Sequence, residues 1–269
     1  MEYPFLSKNK IIETLKQHNA NIRKSLGQNF LIDPNYIKKI VSYIKENIPE
    51  KSSILEIGPG LGAITFPLMP YYNLTLIEID PVFYKILKDY LNPIIIYNMD
   101  ILDYIDQFSL NEFSYVIGNL PYYITTDIII KTLKTIKKPS ICIFLVQKEY
   151  AEKLLEENNS ISIYVHNFSR VSKCTNVPPN AFFPVPRVES MLIKIEVFEK
   201  PQSNPDILEK ILRMSFRSKR KKILNSWQKG IELIPVSLLK EKANTISFDF
   251  TKRAEEISKE LYYKLANLL

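Results

Sequence analysis

The chain has 269 residues, 46% of them hydrophobic, which suits one large domain, or a main domain with a small companion, built around a true core. Its net charge of +7 favours an anionic partner, nucleic acid first among them. Two scattered cysteines, Cys142 and Cys174, exclude a disulfide framework and a zinc spacing, and only two histidines, His18 and His166, weigh against chemistry built on imidazole. No apolar run is long enough to span a bilayer, and residues 1–15 show no apolar core after a basic start. A soluble protein of the reducing cytoplasm, without metal ligands or a membrane partner, is expected.

In chain order, residues 8–18 read as a short helix. A basic and then polar stretch, Arg23 to Leu31, reads as a loop. Asp33 and Pro34 start a helix with Ile37, Ile40, Val41 and Ile44 at helical spacing. Ser53 to Ile57 is a strand, followed at once by Gly58-Pro59-Gly60-Leu61-Gly62 and helix-like sequence to about Met69. Further strands follow at Leu74 to Ile79, Ile94 to Tyr97, Phe113 to Gly118 and Ser140 to Val146, with helices between them and another at Lys148 to Glu157. This alternation predicts a doubly wound parallel sheet.

Beyond it, Ile161 to Phe168 alternates as a strand does, and Val188 to Val197 is another strand, so an antiparallel hairpin is expected at the sheet edge. Between them, residues 177–186 hold four prolines in ten positions, a rigid loop carrying Phe182. Pro201 to Pro205 reads as a linker, and helices alone follow, the last from Asp249 to Leu265. A basic helix around Arg213 to Lys222 carries Arg213, Arg217, Lys219, Arg220, Lys221 and Lys222, six cations in ten residues. The expected division is 1–201, with an arm at 1–32, and a helical domain at 202–269.

Chemistry concentrates at the strand ends. Asn119-Leu120-Pro121-Tyr122 follows a strand, where open α/β sheets bind ligands. An amide, a proline-stiffened backbone and an aromatic ring in a row suit a planar amino group, which they can accept hydrogen bonds from and stack upon. The glycine turn and Glu78, 20 residues after Gly58, suit a nucleotide whose ribose hydroxyls meet a carboxylate. Gly58-x-Gly60-x-x-Ala63 also satisfies the relaxed dinucleotide fingerprint, which leaves an NAD enzyme open. Against NAD, Glu56 before the turn would repel a pyrophosphate yet suit an amino group or a sulfonium. Asp100 could accept from an adenine amine, and the Asn-Leu-Pro-Tyr loop has no task in hydride transfer. S-adenosylmethionine fits all three.

Taken together, these residues resemble the KsgA family, the small-subunit rRNA adenine dimethyltransferases related to the Erm enzymes. The resemblance rests on Leu26-Gly27-Gln28-Asn29-Phe30-Leu31, Glu56-Ile57-Gly58-Pro59-Gly60-Leu61-Gly62, Ile77-Glu78-Ile79-Asp80, Gly118-Asn119-Leu120-Pro121-Tyr122, Gln147-Lys148-Glu149, Val177-Pro178-Pro179-x-x-Phe182-x-Pro184-x-Pro186, and Phe216 to Lys222. It implies a Rossmann-like class I methyltransferase domain, with a mostly parallel seven-stranded sheet and an antiparallel edge hairpin, and a small all-helical carboxyl-terminal domain. The implied contacts to S-adenosylmethionine come from Asn29, Leu31, Glu56, Gly58, Gly60, Gly62, Glu78, Ile79, Asp100, Ile101 and Asn119.

The implied reaction dimethylates two adjacent adenosines near the 3′ end of 16S rRNA, in an immature 30S subunit, by a monomer. The Asn119 side-chain oxygen and the Leu120 carbonyl would accept the two amine hydrogens, Pro121 would fix the loop, and Tyr122 and Phe182 would sandwich a flipped base. Arg23 and Lys24 would extend the basic surface that meets RNA phosphates. The alternatives are an Erm-type enzyme acting on 23S rRNA and a factor whose main task is binding immature small subunits. Two departures stand out: Ser160-Ile161-Ser162 where relatives often carry Tyr-Gly-Arg-Leu-Ser, and Tyr123 where many carry Asn.

Overall fold

The computed structural model describes residues 3–23, 27–91, 94–108, 110–136, 140–218 and 220–269. Its contacts divide into two compact units, Met1–Ala151 with Ser172–Val197, and Glu152–Val171 with Phe198–Leu269. The second unit thus takes in a segment that lies well before the expected cut at residue 201.

The first unit opens with α1 (Lys8–Gln17), the two-residue strand β1 (Phe30–Leu31) and α2 (Pro34–Asn47). α2 starts where expected: the Asp33 carboxylate accepts from the Asn35 backbone N–H at 2.8 Å, and Pro34 occupies the first turn. Ile37, Ile40 and Ile44 are its buried stripe. Then come β2 (Ser53–Ile57), α3 (Thr65–Leu68), β3 (Asn73–Glu78), α4 (Pro81–Tyr90), β4 (Ile95–Asn98), α5 (Ile101–Gln107), β5 (Tyr115–Asn119), α6 (Thr125–Thr135), β6 (Ser140–Gln147) and α7 (Lys148–Leu155). Asp80 and Asp100 cap α4 and α5 as Asp33 caps α2. Losing one such cap costs about 1 kcal/mol.

After α8 (Ser160–Phe168) come β7 (Ser169–Val177), β8 (Phe182–Phe183) and β9 (Ser190–Val197). The seven-stranded sheet runs β4-β3-β2-β5-β6-β9-β7, with β2 parallel to both β3 and β5, and β9 antiparallel to β6. β2 is therefore where the strand order reverses, and the crevice beyond its carboxyl end is the place for a ligand. The strands read as apolar runs because helices cover both faces. β1 and β8 form a separate antiparallel pair, Phe30 opposite Phe183 and Leu31 opposite Phe182. The loop expected from Arg23 to Leu31 thus ends in a strand, which fastens the arm to the proline-rich loop.

The expected strand at Ile161 to Phe168 is the helix α8. The Asn159 side chain accepts from the Ser162 N–H at 3.0 Å and the Ser162 hydroxyl accepts from the Asn159 N–H at 3.3 Å, a capping box that starts the helix. Ser162 to Phe168 are all buried, so no polar face marks the helical period and the apolar alternation misleads. The departure at Ser160 to Ser162 is the first turn of this helix. The edge hairpin exists, but its outer strand is β7.

The second unit continues with α9 (Pro205–Phe216), α10 (Ile223–Trp227), α11 (Val236–Asn244) and α12 (Lys259–Asn267). α8 belongs with them: the Asn167 amide accepts from the N–H and hydroxyl of Ser203 at 2.7 and 2.9 Å and donates back to its carbonyl at 3.1 Å. Trp227, Phe248 and Tyr262 form its aromatic centre, with ring centroids 5.5 and 5.8 Å apart in succession. The expected final helix from Asp249 starts ten residues later, because Asp249 instead accepts from the N–H and hydroxyl of Thr251 in a tight turn. Among the described residues, no helix is long and apolar enough to cross a membrane.

Candidate active site

The cavity lies at the carboxyl ends of β2, β3 and β5, lined by the glycine turn, the arm and the Asn119 loop. Gly60 adopts φ +59°, a conformation that L side chains rarely take, and its N–H donates to the Glu78 carboxylate at 2.9 Å. The other Glu78 oxygen accepts from the Asp80 N–H at 2.8 Å. The Ile79 N–H also faces this carboxylate, which is thus held in place by backbone donors and keeps lone-pair capacity for a ligand. Glu78 is 4% exposed; burial, with the Asp80 charge adding, raises its pKa to about 7, against the lowering effect of the Asp80, Gly60 and Ile79 N–H groups.

Glu56, near the end of β2, is 3% exposed and accepts from the Thr65 hydroxyl at 2.8 Å. Its pKa is also raised to about 7, mainly by burial, with the Glu78 charge adding and the Thr65 bond opposing. Asp80 is the third buried acid. One of its oxygens caps α4 through the Val82 N–H at 2.9 Å, and the other accepts from the Gln28 side chain at 2.8 Å, with Arg23 Nε 3.7 Å away. The arm is thereby latched to the strand that carries Glu78. Burying three carboxylates is expensive unless each is bonded, and such clusters mark binding sites.

The Asn119 loop is fixed at several points. The Asn119 side-chain nitrogen donates to the Asn29 carbonyl at 3.2 Å. Leu120, 1% exposed, donates its N–H to the Leu145 carbonyl on β6 at 3.0 Å. The Pro121 carbonyl accepts from the Thr125 hydroxyl at 2.9 Å, which ties the loop to α6. The Tyr122 hydroxyl pairs with Ser190 Oγ at 3.1 Å and is shifted upward in pKa by burial, so the ring is anchored at its far end. At Gly118 a Cβ would stand 2.7 Å from the Ile57 carbonyl, so only glycine lets β5 approach β2 this closely.

Of the expected residues, Asn29, Leu31, Glu56, Gly58, Gly60, Glu78, Ile79, Asn119, Leu120, Pro121 and Tyr122 line the cavity, and Gly62, Asp100, Ile101 and Phe182 do not. Asp100 caps α5 with one carboxylate oxygen, through the Leu102 N–H at 2.7 Å, and Ile101 packs inward at 6% exposure. Phe182 is 1% exposed and belongs to the core, because in a two-residue strand successive rings alternate in direction, and Phe183 is only half-buried. The sandwich of Tyr122 and Phe182 is not assembled in this structure. Tyr3, Gln28 and Ile64 were not expected and line the cavity. For Gln28 the signal was its place in the arm motif. For Tyr3 there was none.

The basic segment departs from one continuous helix. α9 ends at Phe216, and Arg217 turns back so that its guanidinium donates to the carbonyls of Lys229 and Ile231. The Ile223 N–H donates to the Lys252 carbonyl at 2.8 Å, which starts α10 in a new direction. Arg213 on α9 and Arg220, Lys221 and Lys222 in the connection are exposed. Arg23 is exposed on the first unit; Lys24 and Lys219 lie outside the described residues.

The donor set fits a nucleoside that carries cationic groups: a bonded carboxylate with room for ribose hydroxyls, a second buried carboxylate beside it, and backbone rather than side chains along the turn. The sequence matches the family described as ribosomal RNA adenine dimethylase over residues 19–269. Similar curated proteins are named ribosomal RNA small subunit methyltransferase A. That of Bacillus pumilus is 32% identical, covering 96% of this chain and 94% of the relative, and that of Malacoplasma penetrans is 34% identical, covering 96% and 95%. Among solved structures, a dimethyladenosine transferase from Plasmodium falciparum superposes with TM-score 0.72 at 23% identity, covering 87% of this chain and 94% of that one. The 23S rRNA methyltransferase ErmE gives 0.65 at 22%, covering 88% and 97%. At these identities both likenesses speak for the fold.

Proposed function

Since the chain belongs to the ribosomal RNA adenine dimethylase family, we propose that its cavity dimethylates two adjacent adenosines near the 3′ end of 16S rRNA. It is an S-adenosylmethionine-dependent rRNA adenine dimethyltransferase.

When bound, S-adenosylmethionine supplies an electrophilic methyl group on a sulfonium. Glu78 would hold the ribose hydroxyls with its free lone pairs, and Glu56 would face the ammonium of the amino-acid portion. An adenine amine is a weak nucleophile because its lone pair is delocalised into the ring. The Asn119 oxygen and the Leu120 carbonyl would accept its two hydrogens, favour the pyramidal nitrogen and stabilise the charge that develops on it. The observation that carries this reading is the bond from the Asn119 nitrogen to Asn29, which leaves the amide oxygen as the free end. No strong base is called for, because the proton becomes acidic once the methyl has transferred, and the main contributions are alignment of the two substrates and electrostatics.

Tyr122, anchored through Ser190, would stack on the base, a contact worth about 1–3 kcal/mol. Phe182 would serve as the opposing face only after moving from its buried position. Arg213, Arg220, Lys221 and Lys222 would meet rRNA phosphates and position the substrate. We take the substrate to be an immature 30S subunit, the enzyme to act as a monomer, and the site of action to be the cytoplasm.

The test is transfer of labelled methyl from S-adenosylmethionine into undermethylated 30S subunits, with the modified nucleotides mapped. Two adjacent dimethyladenosines near the 3′ end of 16S rRNA are expected. Label confined to 23S rRNA would replace this reading with the Erm-type one, and subunit binding without label would favour an assembly factor.

A further inference from the structure

The segment ahead of α1 lies outside the span matched by the family, residues 19–269, yet it supplies part of the cavity wall. Tyr3 lines the cavity with Glu56, Ala63, Ile64 and, from α2, Ile40 and Ile44. Its ring meets Phe5 edge-on at 5.8 Å and Phe66 at 5.7 Å. Phe66 in turn lies against the glycine turn, since a Cβ on Gly62 would be 2.8 Å from its ring. Phe5, further along, reaches Tyr90 of α4 at 5.5 Å, which leaves Tyr3 toward α2.

Those contacts are apolar, and a phenylalanine would make them equally well, so they give no reason for a hydroxyl. Tyr3 is 7% exposed, and among the described residues its hydroxyl has no hydrogen-bond partner. A buried hydroxyl without a partner is destabilising and rare.

The position in the cavity narrows the partner. Glu78 and Ile79 mark the ribose end, at the tip of β3. Glu56 lies in register with Ile117 of β5 and, through it, with Ile143 of β6, and all three line the cavity with Ile40 and Ile44. That is the end left for the amino-acid portion of the methyl donor, which bears one ammonium and one carboxylate. Glu56 suits the ammonium and repels the carboxylate. The carboxylate needs a donor other than Glu56, and a tyrosine hydroxyl can donate.

We propose that Tyr3 is a cofactor-binding residue whose hydroxyl donates to the α-carboxylate of S-adenosylmethionine. This rests on the cofactor reading above. The experiment compares wild type and Tyr3→Phe by calorimetry with two ligands: S-adenosylhomocysteine, and 5′-methylthioadenosine, which lacks the amino-acid portion. The substitution should weaken S-adenosylhomocysteine about tenfold, as for a hydrogen bond to a charged group, and leave 5′-methylthioadenosine unchanged. Because the ratio of the two constants is taken on one sample, any loss of folded protein cancels. Equal weakening of both ligands, or of neither, overturns the proposal. Failure of the wild type to bind S-adenosylhomocysteine overturns the cofactor reading instead, and that titration comes first.

Discussion

The cavity of the first unit and the connection between α9 and α10 carry opposite charge in opposite settings. Glu56 and Glu78 in the cavity, and Asp80 just past the end of the strand that carries Glu78, are at most 4% exposed, and each is held by named donors. In the connection, Arg220, Lys221 and Lys222 are exposed to solvent, and Arg217 is the cation bonded to loop carbonyls. Buried charges work through fixed geometry, so each is irreplaceable. Exposed charges work through summed potential, so each is interchangeable with its neighbours.

The strongest way to break this contrast is at the loop that the cavity serves. Asn119→Ala should lower methyl transfer by about a thousandfold, as for loss of one preorganised polar group, with a much smaller loss of S-adenosylhomocysteine binding as the bond to the arm goes with it. A variant that keeps a tenth of its rate would move the chemistry elsewhere. Next in size, Glu78→Ala should weaken S-adenosylhomocysteine about a hundredfold by calorimetry, because it removes charge-assisted bonds to the ligand.

Acidification should act more mildly and in two directions. Both glutamates have folded pKa values of about 7 against an ordinary 4.5, so each is protonated in the cavity where it would be ionised in an unfolded chain. Their protonated forms therefore stabilise the ligand-free fold below about pH 4.5, and that contribution is lost as pH rises through about 7. Binding of the cationic methyl donor requires the ionised forms and should weaken by roughly tenfold or more between pH 7.5 and 5.5. Thermal melts and calorimetry across this range would then move in opposite senses. Parallel movement would mean that the acids are not poised as described.

The smallest effects belong to the cations. Arg220→Ala, Lys221→Ala and Lys222→Ala should each weaken RNA binding only a few-fold, and together lower the salt slope by about 2–3. Their effects should add, whereas those of Glu56 and Glu78 should not. Measured salt titrations of single and triple variants would decide it.

How far these regions are legible in the sequence depends on how each is built. The glycine turn, the acids at the strand ends and the Asp33 cap are local signals, and local geometry repeats them. α8 misleads because it is buried on every side. Arg217 has the right chemistry but is committed to the carbonyls of Lys229 and Ile231, and Asp100 gives one of its two oxygens to the Leu102 N–H. Which of two possible employments a polar side chain takes depends on backbone groups near it in space. Phe182 and Phe183 differ only by the alternation of a two-residue strand, and the pairing with β1 that fixes it comes from some 150 residues earlier. Tyr3 has no sequence neighbour that shares its task.

The bond from Asn119 to the Asn29 carbonyl removes an ambiguity that every asparagine carries. The two ends of an amide have nearly the same shape, and only one can accept a hydrogen bond. A side chain free to turn over would present the wrong end half the time. The arm breaks that symmetry by occupying the nitrogen, so orientation is encoded 90 residues from the group it orients. Aspartate at position 119, though of equal shape, would set two acceptors face to face and loosen the arm along with the loop.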